Sequence, residues 1–359
     1  MKRNCIIEQD LADIVAQDLP WHEFAGRTVL VSGANGFLPA YMVETLLYLN
    51  EKHGVNCRVI GLVRNREKAE RRFVHLLSRP DFSLLVQDVC SPIALKENVD
   101  FVVHAASEAS PKYYCKDPAG TLLANALGTY NLLEIARKSS SRGFLFFSSG
   151  EVYGKVSQTA PVKEDDYGPL DPMDVRSCYG EGKRIGEAMC VAWHRQYGVP
   201  AKIVRISHTY GPGLALDDGR VFADFVGNIV RDEDIVLKSD GSARRPFCYL
   251  ADATLAFFTV LLRGEAGQAY NVANDEADVS MLELAERLVR VFPERKLAVK
   301  LAEGLIPTKQ TAGKVAGAVP DTTKLRKLGW RPAISIEEGF KRTVMSFESR
   351  SLADSCGAR

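Results

Sequence analysis

Thr28-Val29-Leu30-Val31-Ser32-Gly33-Ala34-Asn35-Gly36-Phe37 is the stretch on which the fold turns. Five residues fit for a buried strand run into two glycines three apart, and an apolar helical pattern follows from about Pro39 to Lys52. A glycine turn between strand and helix lets backbone approach a pyrophosphate and aims helix N–H groups and the helix dipole at it. Gly33, Asn35, Gly36, Phe37 and Leu38 are therefore the expected dinucleotide contacts. The competing reading is an ordinary strand-to-helix turn. The third glycine of the usual pattern is replaced by Pro39. Proline is tolerated in the first helical turn, so the turn survives while close helix–strand packing must differ.

Outward from this stretch, apolar runs at Arg58–Val63, Phe82–Val86, Asp100–Ala105, Phe144–Ser148 and Ala201–Ile206 read as further strands. Helical patterns fall at Pro118–Lys138 and Cys178–Tyr197. Apolar strands alternating with amphipathic helices predict a parallel sheet covered on both faces. The fold class is thus α/β: a Rossmann-type doubly wound parallel sheet with a smaller C-terminal α/β substrate lobe. Residues 1–24 are expected to form a helical extension packed on the outside, 25–206 the nucleotide-binding domain, and 207–349 the lobe. That lobe carries helices near Val221–Arg231, Leu250–Leu262, Ser280–Val291 and Glu337–Ser349, and 350–359 form a flexible tail. Ligands of such sheets bind at the carboxyl edge of the strands.

The 359 residues carry 46 basic and 45 acidic side chains. That balance argues against nucleic acid or an anionic membrane as the main partner. The eight cysteines are scattered, without a C-x-x-C pair or a Cys/His cluster, so neither zinc nor a disulfide framework is expected. Free thiols suit a reducing cytosol. No signal peptide and no apolar run of bilayer length is legible. A cytoplasmic protein is expected.

Chemistry concentrates at Tyr179-Gly-Glu-Gly-Lys183, about thirty residues after Ser148-Ser149-Gly150-Glu151. A Tyr and a Lys four apart share a helix face, and an ammonium beside a phenol favours the phenolate. Tyr179 is the expected proton acceptor near neutral pH. The alternative is two exposed helix residues, since Y-x-x-x-K alone is common. After the second strand, Arg64-Asn-Arg66 stands where an acidic residue would bind a ribose hydroxyl. Arg64 could accept a 2′-phosphate, which would favour NADP over NAD, or could simply solvate a helix start. Asp88, with Val89 beside it, is expected at the adenine; capping its own loop is the alternative. Cys178, His104, His194 and Trp193 read as packing residues.

Together these residues resemble the extended short-chain dehydrogenase/reductase family of nucleotide-sugar epimerases, dehydratases and decarboxylases. The resemblance covers about Arg27 to Phe347. It rests on His104-Ala-Ala-Ser107, Asn125-x-x-Gly128-Thr129, Ser148-Ser149, Tyr179-x-x-x-Lys183, Arg205-x-x-x-x-Tyr210-Gly-Pro212 and Arg245-x-Phe-x-Tyr-x-x-Asp252. Within it, Ala106-Ser-Glu-Ala-Ser-Pro111, Arg176-Ser-Cys-Tyr-Gly-Glu-Gly-Lys-Arg184 and Asp218-Gly-Arg-Val221 look like segments of UDP-glucuronate decarboxylases.

The resemblance implies a recycled NAD, with NADP as alternative, held additionally by Ala105, Ala106, Ser107, Asn125, Ile206, Tyr179 and Lys183. It implies Tyr179 as the base at the sugar 4-hydroxyl, Lys183 at the nicotinamide ribose, Ser149 on the 4-oxygen and Glu151 as second acid/base. Ser107, Tyr114, Gly150, Glu151, Arg176, His208, Arg220, Val221, Arg245 and Tyr249 would line a UDP-linked sugar site, with Arg245 on the diphosphate or the sugar's acidic end. A homodimer through a four-helix bundle, formed by the helices near 118–138 and 178–197, is also implied. Two residues depart from the pattern: His208 replaces an Asn, and Gly150 replaces a hydroxyl residue.

A ketone at C4 makes three outcomes available: loss of a C6 carboxylate as carbon dioxide, loss of water, or ring flip and C4 epimerisation. Glu151 argues against plain epimerisation, and Gly150 against an Asp-Glu dehydratase. Decarboxylation is the leading expectation, with 4,6-dehydration or C4-epimerisation as alternatives. A hydride-consuming keto-sugar reductase and a non-catalytic redox sensor are the competing classes; the latter typically lacks the Tyr, Lys or Ser.

Overall fold

β-Branched and aliphatic residues at alternating positions give the first strand two different faces. In the computed structural model, which describes residues 3–95, 97–156, 160–302 and 319–356, β1 (Thr28–Ser32) sends Val29 and Val31 into one apolar cluster and Leu30 into another. It is followed by β2 (Arg58–Val63), β3 (Phe82–Val86), β4 (Phe101–His104), β5 (Gly143–Ser149) and β6 (Ala201–Ile206). The helices of this half are α1 (Cys5–Val15), α2 (Phe37–His53), α3 (Arg66–Arg72), α4 (Pro111–Tyr114), α5 (Pro118–Lys138) and α6 (Ser177–Tyr197). Local signals set their ends. Asp117 caps α5 by accepting from the Gly120 N–H, with Pro118 at the first helical position. Gly54 and Gly198 close α2 and α6 in the left-handed conformation.

Beyond β6 the strands are short: β7 (Thr209–Tyr210), β8 (Ile235–Leu237), β9 (Arg244–Pro246), β10 (Cys248–Tyr249), β11 (Ala269–Val272), β12 (Asp278–Ser280) and β13 (Val299–Leu301). The helices here are α7 (Val221–Val230), α8 (Leu250–Arg263), α9 (Met281–Val291), α10 (Thr323–Arg326) and α11 (Ile336–Cys356). The main sheet runs β11-β6-β5-β4-β1-β2-β3, and every pair in it is parallel. The strand order reverses at β1, flanked by β2 and β4, so a crevice opens beyond the carboxyl ends of these strands.

One expected boundary needs correction, and two expectations gain detail. The lobe after residue 206 also contributes to the main sheet: β11 joins it beside β6, and α8 buries Phe257 and Phe258 in the main core. The N-terminal helix packs one face onto that core. Leu11 is fully buried, and Ile7, Ile14 and Val15 belong to the same core. The last helix does not stop at residue 349 but continues to Cys356, and residues 357–359 of the expected tail lie outside the described residues. The apolar runs before residue 206 were legible as strands; β11, Ala269–Val272, has Asn271 within it and shows no such run.

Candidate active site

The strand end and the helix start build one wall of the crevice. Gly33 adopts φ +63°, and a Cβ there would lie 2.9 Å from the Ala106 Cα. The turn therefore sits against the backbone that follows β4 and needs glycine for two reasons. Gly36 is the N-cap of α2, and no side chain caps that end, which leaves a helix start fit for an anion. Pro39 lies fully inside the first turn of α2. Asn35, Phe37 and Leu38 are half-buried along the same turn. The Ser32 hydroxyl accepts from the Ala105 and Ala106 N–H groups at 3.1 and 3.2 Å and shares a hydrogen bond with His104 Nδ1 at 2.9 Å. Burial and the nearby Lys183 push His104 down to about 3, so it is a neutral packing residue.

Asp88 accepts from the Cys90 N–H at 2.8 Å, capping its own turn. The Val89 side chain packs in the core against Gly128, leaving only its backbone for a ligand. Arg64 is exposed and paired with Glu108 at 3.1 Å. Asn125 is fully buried, donates to Ser107 Oγ at 3.0 Å and packs against Gly182 of α6. Ile206 ends β6 directly opposite Ser149 of β5.

Tyr179 and Lys183 are 7% and 3% exposed on the first two turns of α6. Ser149, where β5 ends, lies near enough to the Tyr179 phenol to act on it. The Lys183 ammonium donates to the Phe147 carbonyl at 2.7 Å and lies 5.6 Å from the Tyr179 ring centre. The protonation states differ from expectation. Burial pushes the Tyr179 phenol up to about 12, with Glu151 and Tyr114 adding to it against Ser149 and Arg220. Burial also pushes Lys183 down to about 7, opposed by Glu187. Desolvation is the largest cause of both shifts, and it favours the neutral form of each group.

The opposite wall is assembled from distant segments. Tyr114 stacks on Tyr179, centroids 5.3 Å apart and planes within 5°. Glu151 is exposed beyond Ser149, in a short 3-10 turn. Arg245 of β9 is half-buried, donates to the Arg244 carbonyl at 2.7 Å, and among the described residues has no carboxylate at ion-pair distance. Burial lowers its pKa, with Glu151 and Asp278 opposing. His208 lies near Arg245 and Arg220, and burial with those charges pushes it down to about 3. A neutral imidazole keeps one donor and one acceptor, as the missing Asn would. Arg220 is already held by Asp218 through two bonds of 2.6 Å and lies over Phe222, with exposed Val221 beside it opening α7. Ser110 and Lys112 donate to the Asp218 and Asp217 carbonyls at 2.9 and 2.8 Å, joining the segment after β4 to this loop. Arg176 is exposed at the N-cap of α6, its charge felt by Tyr114. At Gly150 a Cβ would meet only Ser207 Oγ, at 3.9 Å, so the departure there leaves space.

One expected contact does not reach the site. Tyr249 is fully buried, and its hydroxyl donates to Asp10 of the N-terminal helix at 2.7 Å. Sequence reading also missed Glu187. It accepts from Ser148 Oγ at 2.5 Å and Arg205 at 2.7 and 3.0 Å, tying the ends of β5 and β6 to α6. Its position four residues after Lys183 was a usable signal, because i and i+4 share a face. Among the described residues no cluster of His, Cys, Asp and Glu could hold a metal, and no helix is long and apolar enough to cross a membrane.

Residues 29–273 match the family described as NAD dependent epimerase/dehydratase. A similar protein is UDP-glucuronic acid decarboxylase 1 of Arabidopsis thaliana, 35% identical over 92% of this chain and 72% of that one. Among solved structures, an epimerase of Methanothermobacter thermautotrophicus superposes with a TM-score of 0.77 at 21% identity, over 96% of this chain and 97% of the other. A dTDP-glucose 4,6-dehydratase of Bacillus anthracis in complex with NAD gives 0.73 at 20%, over 90% and 97%. The chain belongs to the NAD-dependent epimerase/dehydratase family.

Proposed function

We propose that this chain is an NAD-dependent UDP-glucuronic acid decarboxylase, a lyase that oxidises the sugar at C4, releases the C6 carboxylate as carbon dioxide and restores the C4 hydroxyl. The reading rests on the Tyr179–Ser149–Lys183 group and on Glu151, whose charge acts both on Tyr179 and on Arg245, a half-buried cation without a carboxylate at ion-pair distance among the described residues. A uronic acid linked to a diphosphate brings the anionic groups that such a cation binds. The similarity to UDP-glucuronic acid decarboxylases over most of the chain supports the same substrate.

Gly33, Gly36 and the uncapped start of α2 would hold the NAD pyrophosphate, with Asp88 toward the adenine and Lys183 toward the nicotinamide ribose. Bound NAD supplies the acceptor for the C4 hydride and its return. The Arg64–Glu108 pair favours NAD over NADP, because a carboxylate beside the guanidinium repels a 2′-phosphate. Tyr179 takes the O4 proton, a step that requires its phenol to descend from about 12 toward working pH as positive charge gathers at the site. Ser149 hydrogen-bonds O4 as it becomes a carbonyl. The C6 carboxylate is then β to a ketone and leaves with its bonding pair delocalised onto O4. Glu151 is placed to return a proton to C5. Arg245 and neutral His208 orient the substrate, and Gly150 leaves its C5 side roomy.

The apolar face left exposed by Leu123, Leu127 and Tyr130 of α5 and Ile185 of α6 suits a second copy of this chain in a four-helix bundle. We place this homodimer in the cytoplasm, supplying a UDP-pentose for polysaccharide synthesis; light scattering at a monomer mass would refute the dimer. The decisive test of activity is incubation with UDP-glucuronate and NAD. One carbon dioxide and one UDP-pentose per turnover, with no net NADH, are expected. A 4-keto-6-deoxy product or a C4 epimer from the corresponding hexose, without carbon dioxide, would overturn the reading.

A further inference from the structure

A fully buried carboxylate joins both walls of the crevice from a helix that lies outside the nucleotide-binding unit. Asp10 of α1 is 0% exposed. One oxygen accepts from Tyr41 of α2 at 3.0 Å and from Tyr249 of β10 at 2.7 Å. The other accepts from Arg342 of α11 at 2.8 Å. A buried carboxylate is retained at such a position only when its lone pairs are filled by donors. Burial raises its pKa, while the two phenols and the guanidinium oppose.

The donors come from functionally different elements. Tyr41 is in the second turn of α2, the helix whose first residue follows Gly36 of the phosphate turn. Tyr249 ends β10, four residues after Arg245, and β10 pairs with β7 directly after His208; the Cys248 N–H donates to the His208 carbonyl at 2.9 Å. Arg342 also binds Asp13 and Glu338, at 3.1 and 2.8 Å, and Asn4 Nδ2 donates to the Ser346 carbonyl at 2.9 Å, fastening α1 to α11. Arg3 binds Glu44 of α2 at 3.0 Å, fastening α1 on the other side. The N-terminal helix is thus held between the cofactor wall and the substrate wall.

We propose that Asp10 is a positioning residue whose three bonds, to Tyr41, Tyr249 and Arg342, set the spacing of the two crevice walls and hence where Arg245 and His208 stand relative to Tyr179. The inference deepens the proposed activity and rests on it for the turnover readout. Misplacing Arg245 weakens the bound substrate and the transition state alike, which raises KM and leaves kcat nearly unchanged.

The test uses the full chain with Tyr249→Phe, which removes one donor and keeps the ring, and with Asp10→Asn. For Tyr249→Phe, KM for UDP-glucuronate should rise about tenfold, the loss expected for one hydrogen bond to a charged group, with kcat within about twofold. NAD dissociation, read by calorimetry, should change less than about twofold in Tyr249→Phe. In Tyr41→Phe it should weaken several-fold. Hydrogen exchange of Asp10→Asn should quicken at residues 207–210 and 244–249 while β1 and β4 stay protected. A folded Tyr249→Phe with unchanged KM and unchanged exchange there overturns the brace, even if its Tm falls, because that is a packing role alone. If the wild type leaves UDP-glucuronate untouched, the assigned reaction fails separately. The brace is then judged by the dissociation constants of UDP and NAD under the same criterion.

Discussion

The wall proposed for the cofactor and the wall proposed for the substrate are built in different ways. The cofactor wall is continuous: β1, the Gly33 turn and α2 follow one another, and Ser32 ties the backbone after β4 to them by short local bonds. The substrate wall is gathered from residues 107–114, 149–151, 207–221 and 244–249: the end of β5, the short helix α4, loops, and strands of two or three residues. Its order comes from contacts far apart in sequence, such as Ser110 with Asp218 and Tyr249 with Asp10. Loop-borne sites of this kind are where specificity changes most easily, while the rigid wall keeps the common chemistry.

Substitutions can break or sharpen that contrast. The largest effect belongs to the group both walls share. Tyr179→Phe should lower kcat by roughly 10³-fold, within the range for a lost acid–base group, with NAD still bound in calorimetry; near-normal turnover would refute the assigned base. Lys183 tests the buried side. Its pKa stands at about 7 in the fold against 10.5 for an ordinary lysine. Between those values the unfolded chain holds a proton that the native state has lost, so wild-type stability should rise with pH from about 7 to 10. Lys183→Met should lack that rise. The divergence should be on the order of a few kcal/mol, since each pKa unit corresponds to about 1.4 kcal/mol, and denaturant titrations at several pH values would read it. Parallel curves would mean the ammonium is better solvated than its burial implies. The smallest contrast pairs two glycines. Gly33→Ala meets Ala106 at 2.9 Å in a left-handed backbone and should cost about 1–3 kcal/mol and weaken NAD. Gly150→Ser enters open space and should leave Tm within a degree or two while altering substrate preference. Equal losses at both positions would erase the distinction between the walls.

The same contrast explains what could be read from the chain. Three of the first six strands, β1, β2 and β5, carry four or five consecutive apolar or β-branched residues, and Tyr179, Lys183 and Ser149 lie at spacings that helix and strand periodicity resolve. Arg245 and His208 were legible only through family resemblance, because Arg245 sits on a three-residue strand and His208 in the link between β6 and β7, neither long enough to carry a pattern. Tyr249 misled because a Tyr beside Arg245 looks like a nucleotide platform until Asp10, over two hundred residues away, takes its hydroxyl. The direction of the Tyr179 shift was also hidden. Sequence places a cation beside a phenol but does not reveal that both are stripped of water.

β11 has a further consequence. Its four residues cover the outer flank of β6, and α8 closes the sheet above them. A chain ended after Ile206 would leave β6 as an open, apolar rim, a template for aggregation. The halves are therefore not interchangeable cassettes, and any exchange of the segments after residue 206 has to carry residues 250–272 along unchanged.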